Sequence, residues 1–243
     1  MDQITLLGLS QQMALRRTMD MIANNLANMS TTAYKAEQMI FEEYLVEVEG
    51  GGPESSMNFV IDKGLARDHS VGRFEVTGGS LDIAVDGPGF FVVDTPEGPR
   101  YTRNGHFELD TEGRLVTTEG HPVLDADSRA ISLDLEDGPL SIAGDGTISV
   151  GGGGAQFKLQ LVEFSRPAEL EKQGNSLFAA AEDPIPAERS SLVQGALESS
   201  NVQPILEMSR MIEVSRTYES TARLLERASS LSVKTIERLG RAA

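Results

Sequence analysis

The sequence predicts an α+β fold, with a coiled-coil-like helical domain formed by the N- and C-terminal helices and a mainly antiparallel, all-β central domain. Three observations lead to this prediction. Apolar residues recur at helical spacing at both ends, all but two of the 24 glycines lie between the ends, and tight-turn dipeptides divide the centre into short segments. We therefore expect a terminal helical assembly domain (1–40 and 203–243), a linker or loop with possible short strands (41–74) and a β-rich central domain (75–202).

The N-terminal segment has the pattern of an amphipathic helix. Its apolar residues recur at spacings of four and three, and they are Leu15, Met19, Ile22, Leu26 and Met29. This spacing places them on one stripe of a helix, as in the seam of a coiled coil. Ser30, Thr31 and Thr32 follow at once. Because such residues favour caps and turns, we expect the helix to end there.

The C-terminal segment predicts a longer helix, from about residue 203 to residue 239. Pro204 fits its first turn, where a missing N–H is tolerated. An alternation of three and four residues runs through Met208, Met211, Ser215, Tyr218, Ala222, Leu225, Ser229, Ser232, Ile236 and Leu239. Several of these residues are small or polar, so two interpretations stay open. The helix packs on its own domain, or both ends of the chain pair with each other and with neighbouring copies.

The centre has the pattern of short strands joined by tight turns. The stretch "GGSLDIAVDGPGFFVVD" alternates from Leu81 to Val85, turns at Asp86-Gly87 and enters an apolar run that contains Phe91. Asn104-Gly105 and Asp145-Gly146 mark further turns, because glycine accepts a positive φ. Such a succession is typical of sandwiches and partly open barrels. We assign Phe91 to the core of this domain.

Composition argues against several classes of function. The net charge of −16 disfavours a nucleic-acid partner, whose phosphates attract Lys and Arg. No run of about 18 apolar residues occurs, so no membrane insertion is expected. The first residues also lack the order of a cleaved secretory signal.

The sequence gives no sign of catalytic, metal or cofactor chemistry. Its three histidines lack the spacing of metal ligands, and cysteine is absent. Residues 125–136 match some acidic positions of a calcium loop, but Arg129 and Ala130 stand where an oxygen ligand and a glycine are needed. We therefore predict no metal site, no cofactor and no catalytic residue.

Four stretches of the chain resemble the flagellar rod and hook family of axial proteins. They are "IANNLANMSTTAYKAE", "GGSLDIAVDGPGFFVV", "YTRNGHFELDTEGRLVTTEGHPVL" and "QGALESSNVQPILEMSRMIEVSRTYESTARLL". They cover both ends and much of the centre, in the order of the family's motifs. One departure is Ala33, where the family usually has glycine. Alanine tolerates a positive φ less well, so the local turn is expected to differ slightly.

The resemblance implies a structural subunit of the bacterial flagellar basal body and not an enzyme. Length and ending favour a proximal-rod type, with distal-rod and hook types as alternatives. Its partners would be other copies of itself, other rod subunits and the flagellar type III export apparatus, which exports the chain without a cleaved signal peptide. The subunits would polymerise helically into the periplasmic drive shaft and transmit torque through packed contacts.

The resemblance also suggests which residues matter. The terminal helices would supply an assembly interface of Leu15, Met19, Ile22, Asn24, Asn25, Leu26, Asn28, Met208, Met211, Tyr218, Ala222, Leu225 and Ile236. The β domain would carry a family motif of Leu81, Asp82, Gly87, Gly89, Phe90, Phe91, Asn104 and Gly105. The three asparagines are expected to hydrogen-bond to neighbouring helices and fix their register, as a buried polar residue does in a coiled coil. Alternatively, they only end the helix.

A function of another class stays open at this point. The chain could be a soluble β-domain binding module or enzyme whose helical ends oligomerise. Such a protein needs a concave pocket with convergent polar groups, and the sequence shows none.

Overall fold

The computed structural model describes residues 2–47, 56–134, 138–151 and 157–241. The chain divides into two compact units. We call the first the helix–hairpin unit, and it comprises Met1–Ala27, Glu37–Arg67 and Val202–Ala243. The second is the β-rich unit, and it comprises Asn28–Ala36 and Asp68–Asn201.

Two long helices mark the ends of the chain. Helix α1 spans Asp2–Ala27, and helix α2 spans Pro204–Arg241, which gives α2 a length of about 57 Å. The two helices pack against each other. Gly8 lies at their contact, where an added Cβ would clash with the side chain of Leu225. Helices at both ends and an antiparallel β centre confirm the α+β class.

A long β-hairpin completes the helix–hairpin unit. Strand β1 spans Glu37–Glu47 and strand β2 spans Ser56–Arg67, and they pair antiparallel with a shift in register between Ile40 and Phe41. The sequence predicted a linker with possible short strands over 41–74, whereas these strands have 11 and 12 residues. The difference arises because a hairpin depends on pairing between two segments, which neither segment reveals alone.

The β-rich unit contains short strands in antiparallel pairs. They are β3 (Phe74–Val76), β4 (Ile83–Asp86), β5 (Phe90–Thr95), β6 (Gly98–Thr102), β7 (Phe107–Leu109), β8 (Leu115–Thr117), β9 (Leu140–Ile142), β10 (Thr147–Val150), β11 (Phe157–Lys158), β12 (Leu161–Glu163), β13 (Glu171–Lys172), β14 (Leu177–Ala179), β15 (Ile185–Pro186), β16 (Ser191–Gln194) and β17 (Ala196–Glu198). The largest sheet has the order β13-β14-β6-β5-β12-β15. Smaller sheets are β11-β10-β9, β16-β4, β17-β3 and β7-β8.

Strand β5 lies at the centre of the core because both of its faces are buried. Phe91 and Val93 belong to one apolar cluster, and Phe90 and Val92 belong to a second one. This is the alternation of side chains along a strand that is covered on both sides. The ring of Phe91 meets that of Phe107 edge to face, with centroids 5.1 Å apart. The assignment of Phe91 to the core is confirmed.

The boundaries of the two observed units differ from those of the predicted domains. Residues 28–36 belong to the β-rich unit, and the hairpin at 37–67 belongs with the helices. One cause is the backbone of Ala33, whose N–H donates to the carbonyl of Glu198 at 2.7 Å. Contacts between residues so far apart in sequence decide the boundary.

Candidate functional site

Three buried charges meet inside the β-rich unit. Nε of Arg103 donates to Oε2 of Glu198 at 2.8 Å, and Nζ of Lys35 donates to Oε1 of the same carboxylate at 2.6 Å. The backbone N–H of Gly72 also donates to Oε1, at 2.8 Å. The three charged side chains are at most 2% exposed. We call Lys35, Arg103 and Glu198 the buried ion cluster.

The end of β4 and the loop that follows it direct three carbonyls towards the guanidinium of Arg103. Nη1 donates to the carbonyls of Gly87 at 2.9 Å and Gly89 at 2.7 Å, and Nη2 donates to that of Val85 at 3.0 Å. Gly87 has a φ of +123°, and an added Cβ would lie 2.8 Å from the carbonyl oxygen of Arg189. Glycine is therefore required where this loop turns, and the loop supplies acceptors that a buried cation needs.

The cluster shifts the titration of two of its members. Burial lowers the pKa of Lys35, and the nearby Glu198 only partly restores it. Burial alone would raise the pKa of Glu198, but the charges of Arg103 and Lys35 outweigh it and hold that pKa below its ordinary value. Two cations therefore share one carboxylate, which stays ionised. Carbonyls and amide groups supply the remaining hydrogen bonds.

The buried ion cluster joins all four of the sequence motifs. Lys35 comes from the N-terminal motif, Arg103 from the "YTRNG" segment and Glu198 from the C-terminal motif, while Gly87 and Gly89 come from the central motif. The two glycines are among the residues predicted from the sequence, whereas the three charged residues are not. The motifs carry other charged residues as well, so the sequence has no signal that distinguishes these three or reveals which charges meet.

The other predicted motif residues hold turns or fill the core. Oδ1 of Asp82 lies 2.6 Å from Nδ1 of His106, and Thr77 donates to Oδ2. Burial would raise the pKa of Asp82, but these two hydrogen bonds keep it below its ordinary value. Oδ1 of Asn104 accepts from the N–H of His106, and an added Cβ at Gly105 would lie 1.7 Å from the carbonyl of Ile83.

The remaining motif residues are apolar. Phe90 and Phe91 are buried, and Leu81 packs against the core cluster. Their burial contributes to the apolar core of the β-rich unit and so stabilises its fold.

The side chain of Asn25 links α1 to the beginning of β1. Its side chain is buried, its Oδ1 accepts from the N–H of Glu37 at 2.9 Å, and its Nδ2 donates to the carbonyl of Glu37 at 2.8 Å. The amide therefore pairs with the first residue of β1, a partner that the sequence did not predict. Asn24 is exposed, and Asn28 accepts from Thr31 in the turn after α1.

The predicted helix stripes lie only partly on the buried sides of the helices. On α1, Ile22 is buried and Leu15, Met19 and Leu26 are half-buried. On α2 the least exposed positions recur at spacings of four and three, and they are Glu207, Met211, Val214, Tyr218, Thr221, Leu225 and Ala228. Ala222 is half-buried beside this row, Met208 is 46% exposed, and the side chain of Ile236 lies outside the described residues.

Two polar residues account for that difference on α2. Oε1 of Glu207 accepts from Nη1 of Arg210 at 2.9 Å, and Oγ1 of Thr221 donates to the carbonyl of Thr217 at 2.9 Å. Both residues lie on the buried side and have a partner on their own helix, so an apolar pattern does not predict their position.

Ala33 shows the strain expected of a residue that replaces glycine. Its φ is +57°, in the left-handed region, and its side chain is buried. The turn keeps the geometry that glycine adopts more readily.

Three family models match separate parts of the chain. They describe a flagella basal body rod protein over residues 7–35, the D1 domain of flagellar hook protein FlgE/F/G over 84–150, and the C-terminal part of flagellar basal body rod FlgEFG protein over 193–238. Each range contains one member of the buried ion cluster.

Relatives match over nearly the whole chain. The chain is 39% identical to the flagellar basal-body rod protein FlgF of Caulobacter vibrioides, with 99% of both chains covered. The chain belongs to the flagellar basal-body rod protein family. It is also 37% identical to FlgF of Mesorhizobium japonicum, with 96% of both chains covered. The FlgG rod protein of Buchnera aphidicola from Acyrthosiphon pisum is 32% identical, with 89% of this chain and 92% of the relative covered.

Membership of the family establishes the class of function. The chain is a structural subunit of the flagellar basal-body rod and not an enzyme. The FlgG relatives are rod proteins of the alternative type. Within the described ranges, neither helix has a stretch long and apolar enough to cross a membrane.

Proposed function

We propose that the chain is a proximal-rod subunit that polymerises head to tail through α1 and α2. The two helices form a coiled-coil-like inner layer of the rod. The partners are further copies of the chain and other rod subunits. Support for the proximal type comes from the FlgF relatives, which match the full length at the higher identities.

The observation that carries this proposal is a second apolar row on each helix. On α1 the row consists of Leu6, Leu9 and Met13, and on α2 it consists of Ile205, Met208 and Ile212. All six side chains are exposed, with Ile205 at 76%. Each row repeats at spacings of three and four, so its members share one helix face.

These rows do not coincide with the buried sides of the helices. At about 100° per residue, Ile212 lies well away from Met211 and Leu225, which are partly covered within the chain. Burying a side chain of this size contributes about 1.5–3 kcal/mol. A neighbouring copy that covers both rows would therefore gain a contact that repeats along the whole assembly.

The helix pair also fits the predicted close packing of the terminal segments. Gly8 allows Leu225 to approach α1 more closely than any other residue type would. Small residues at such positions bring helices together, and the remaining faces stay available for neighbours. Met19, Ile22, Tyr218 and Leu225 would then belong to the intrachain pair, while Met208 belongs to the face that meets another copy.

A contact between two different faces of adjacent subunits explains how such a subunit forms a shaft. Head-to-tail contacts that do not close build a helical polymer, unlike a two-fold contact. Torque would pass through many packed side chains, with no bond made or broken. Delivery by the type III export apparatus suits a chain without cysteine, because no disulfide opposes unfolding.

The test is to place a charge on the exposed row of α2. The variant Ile212→Asp is expressed in a flagellated bacterium that lacks its own copy, and swimming and isolated basal bodies are examined. We expect loss of swimming and incomplete rods, while the purified chain keeps its melting temperature, because Ile212 is 55% exposed.

The matched control is Ser220→Asp, which adds the same charge at an exposed position of α2 outside the row. This variant should swim and build rods normally. Normal rods from Ile212→Asp, or equal defects from both variants, would overturn the proposed use of this face.

A further inference from the structure

Strand β3 is an exposed edge of the β-rich unit. Its only strand partner among the described residues is β17, with Phe74 opposite Glu198 and Val76 opposite Ala196. Every residue from 73 to 78 is exposed, and Val76 is 85% exposed although it is a β-branched apolar residue. Open edges of this kind are sites of pairing with another chain, and proteins usually blunt or cover them.

The backbone of β3 alternates between β17 and the open side. The carbonyl of Arg73 accepts from the N–H of Ser199 at 2.8 Å, and the N–H of Thr77 donates to the carbonyl of Gly195 at 2.9 Å. Residues 73, 75 and 77 therefore direct their backbone groups towards β17. By the alternation of an antiparallel ladder, Phe74 and Val76 direct theirs away from it. The outer edge presents the groups that a further strand would bind.

Strand β3 is also held in place by its contacts with β17. Phe74 pairs with Glu198, whose carboxylate is fixed by Arg103 and Lys35. The N–H of Gly72, just before β3, donates to that same carboxylate at 2.8 Å. A strand that is ordered before it binds loses little entropy on pairing, so a short contact can form.

The charges along β3 are complementary to those of a second copy of β3 that runs antiparallel to it. Arg73 and Glu75 flank Phe74 on the other face of the strand, and neither forms an ion pair with any described residue. An antiparallel pair with Phe74 opposite Phe74 of a second copy places Arg73 opposite the second copy's Glu75, and Glu75 opposite its Arg73. Opposite charges at such positions stabilise the pairing.

The neighbouring registers are disfavoured by the same charges. Only shifts by an even number of residues keep the outward backbone groups of both strands facing each other, and the nearest of these are shifts of two. A shift in one direction puts Glu75 opposite Glu75, and a shift in the other puts Arg73 opposite Arg73. Like charges directly opposite are destabilising, so the charge pattern favours the register centred on Phe74 over both of these shifts.

We propose that a second copy of this chain binds at β3, forming a two-fold antiparallel dimer centred on Phe74. The contact is self-complementary and closes on itself, so it makes dimers and no polymer. It covers the edge strand of subunits that are not yet assembled. It uses only the β-rich unit and does not require the helix contacts of the rod.

The absence of cysteine from the chain allows a sharp test of the dimer and its register. Single variants Phe74→Cys and Val76→Cys of the full chain are oxidised under identical conditions, and disulfide dimers are measured on non-reducing gels. In the proposed register residue 74 meets residue 74, whereas the two Val76 positions are separated along the strands. The two residues 74 then lie within the reach of a disulfide. We therefore expect Phe74→Cys to form disulfide dimers at least tenfold faster than Val76→Cys.

Random collision predicts the opposite order. Phe74 is 38% exposed and Val76 is 85% exposed, so the second thiol is the more accessible one. Both variants share the same helices, so any contact made by the helices contributes equally. Equal rates, or faster dimerisation of Val76→Cys, would overturn the proposal.

Charge reversal tests the pairing independently. In the Phe74→Cys background, Arg73→Glu alone or Glu75→Arg alone should reduce dimer formation to the level of Val76→Cys. The double variant Arg73→Glu with Glu75→Arg restores both opposite-charge pairs and should restore the parent rate. Dimer formation that ignores the single reversals, or that fails to recover in the double variant, contradicts the proposed register.

Discussion

Arg103 and Glu198 lie 95 residues apart in the sequence and meet at 2.8 Å in the buried ion cluster. Lys35 reaches the other oxygen of the same carboxylate from 163 residues away. The cluster thereby ties the N-terminal motif, the segment after β6 and the C-terminal motif into one fold. Its single carboxylate faces two cations, and this imbalance determines how substitutions should behave.

Replacing the carboxylate should be far more damaging than replacing the lysine. Glu198→Gln leaves two buried cations without an anion, and we expect a loss of about 3–5 kcal/mol in the free energy of unfolding. Lys35→Met removes the excess positive charge and leaves the Arg103–Glu198 pair, so its effect should be clearly smaller. Urea unfolding of the two full-length variants gives the comparison. Equal losses would show that the balance of charge is unimportant.

Acidification should weaken the β-rich unit through Glu198. The pKa of this carboxyl is lower in the folded state than its ordinary value of 4.5. The unfolded chain therefore binds the proton first, and stability that is present above pH 4.5 is lost as the pH falls through the folded pKa. When melting temperatures are measured from pH 7 to pH 3, they should decrease once the pH is lower than 4.5. The fall should be shallower in Glu198→Gln, and an unchanged slope would exclude Glu198 as a cause.

The amide of Asn25 should hold the beginning of β1 against α1. Asn25→Ala leaves the buried N–H and carbonyl of Glu37 without these partners, and we expect a cost of about 1–3 kcal/mol. Hydrogen exchange at the Glu37 amide should become faster. The matched control is Asn24→Ala, the exposed neighbour on the same helix, which should leave this exchange rate unchanged.

The contact of Gly8 with Leu225 should behave as a coupled pair. Gly8→Val fills the space that the Leu225 side chain occupies, so the α1–α2 pair should lose helicity and melt earlier. Leu225→Ala in the same chain vacates that space and should recover part of the loss. Circular dichroism of the two single variants and the double variant measures the coupling. Additive losses would mean that the two residues do not meet.

The sequence by itself determined the local elements of this protein. The three–four spacing predicted a helix at each end, and the structure places them at Asp2–Ala27 and Pro204–Arg241. Gly87 and Gly105 were chosen as turn residues, and both accommodate backbone approaches that a Cβ would block. Such features depend on backbone conformation over a few residues, so they can be predicted from short stretches of sequence.

Tertiary structure alone decided which distant segments meet. It brought Lys35 and Arg103 to Glu198, assigned the Asn25 amide to β1 and placed Thr221 on the buried side of α2. The periodicity of apolar residues could not show these outcomes, because a polar side chain is buried wherever its partners are and those partners come from elsewhere in the fold. The sequence therefore specified the elements, and long-range pairing of charges and amides specified how they join.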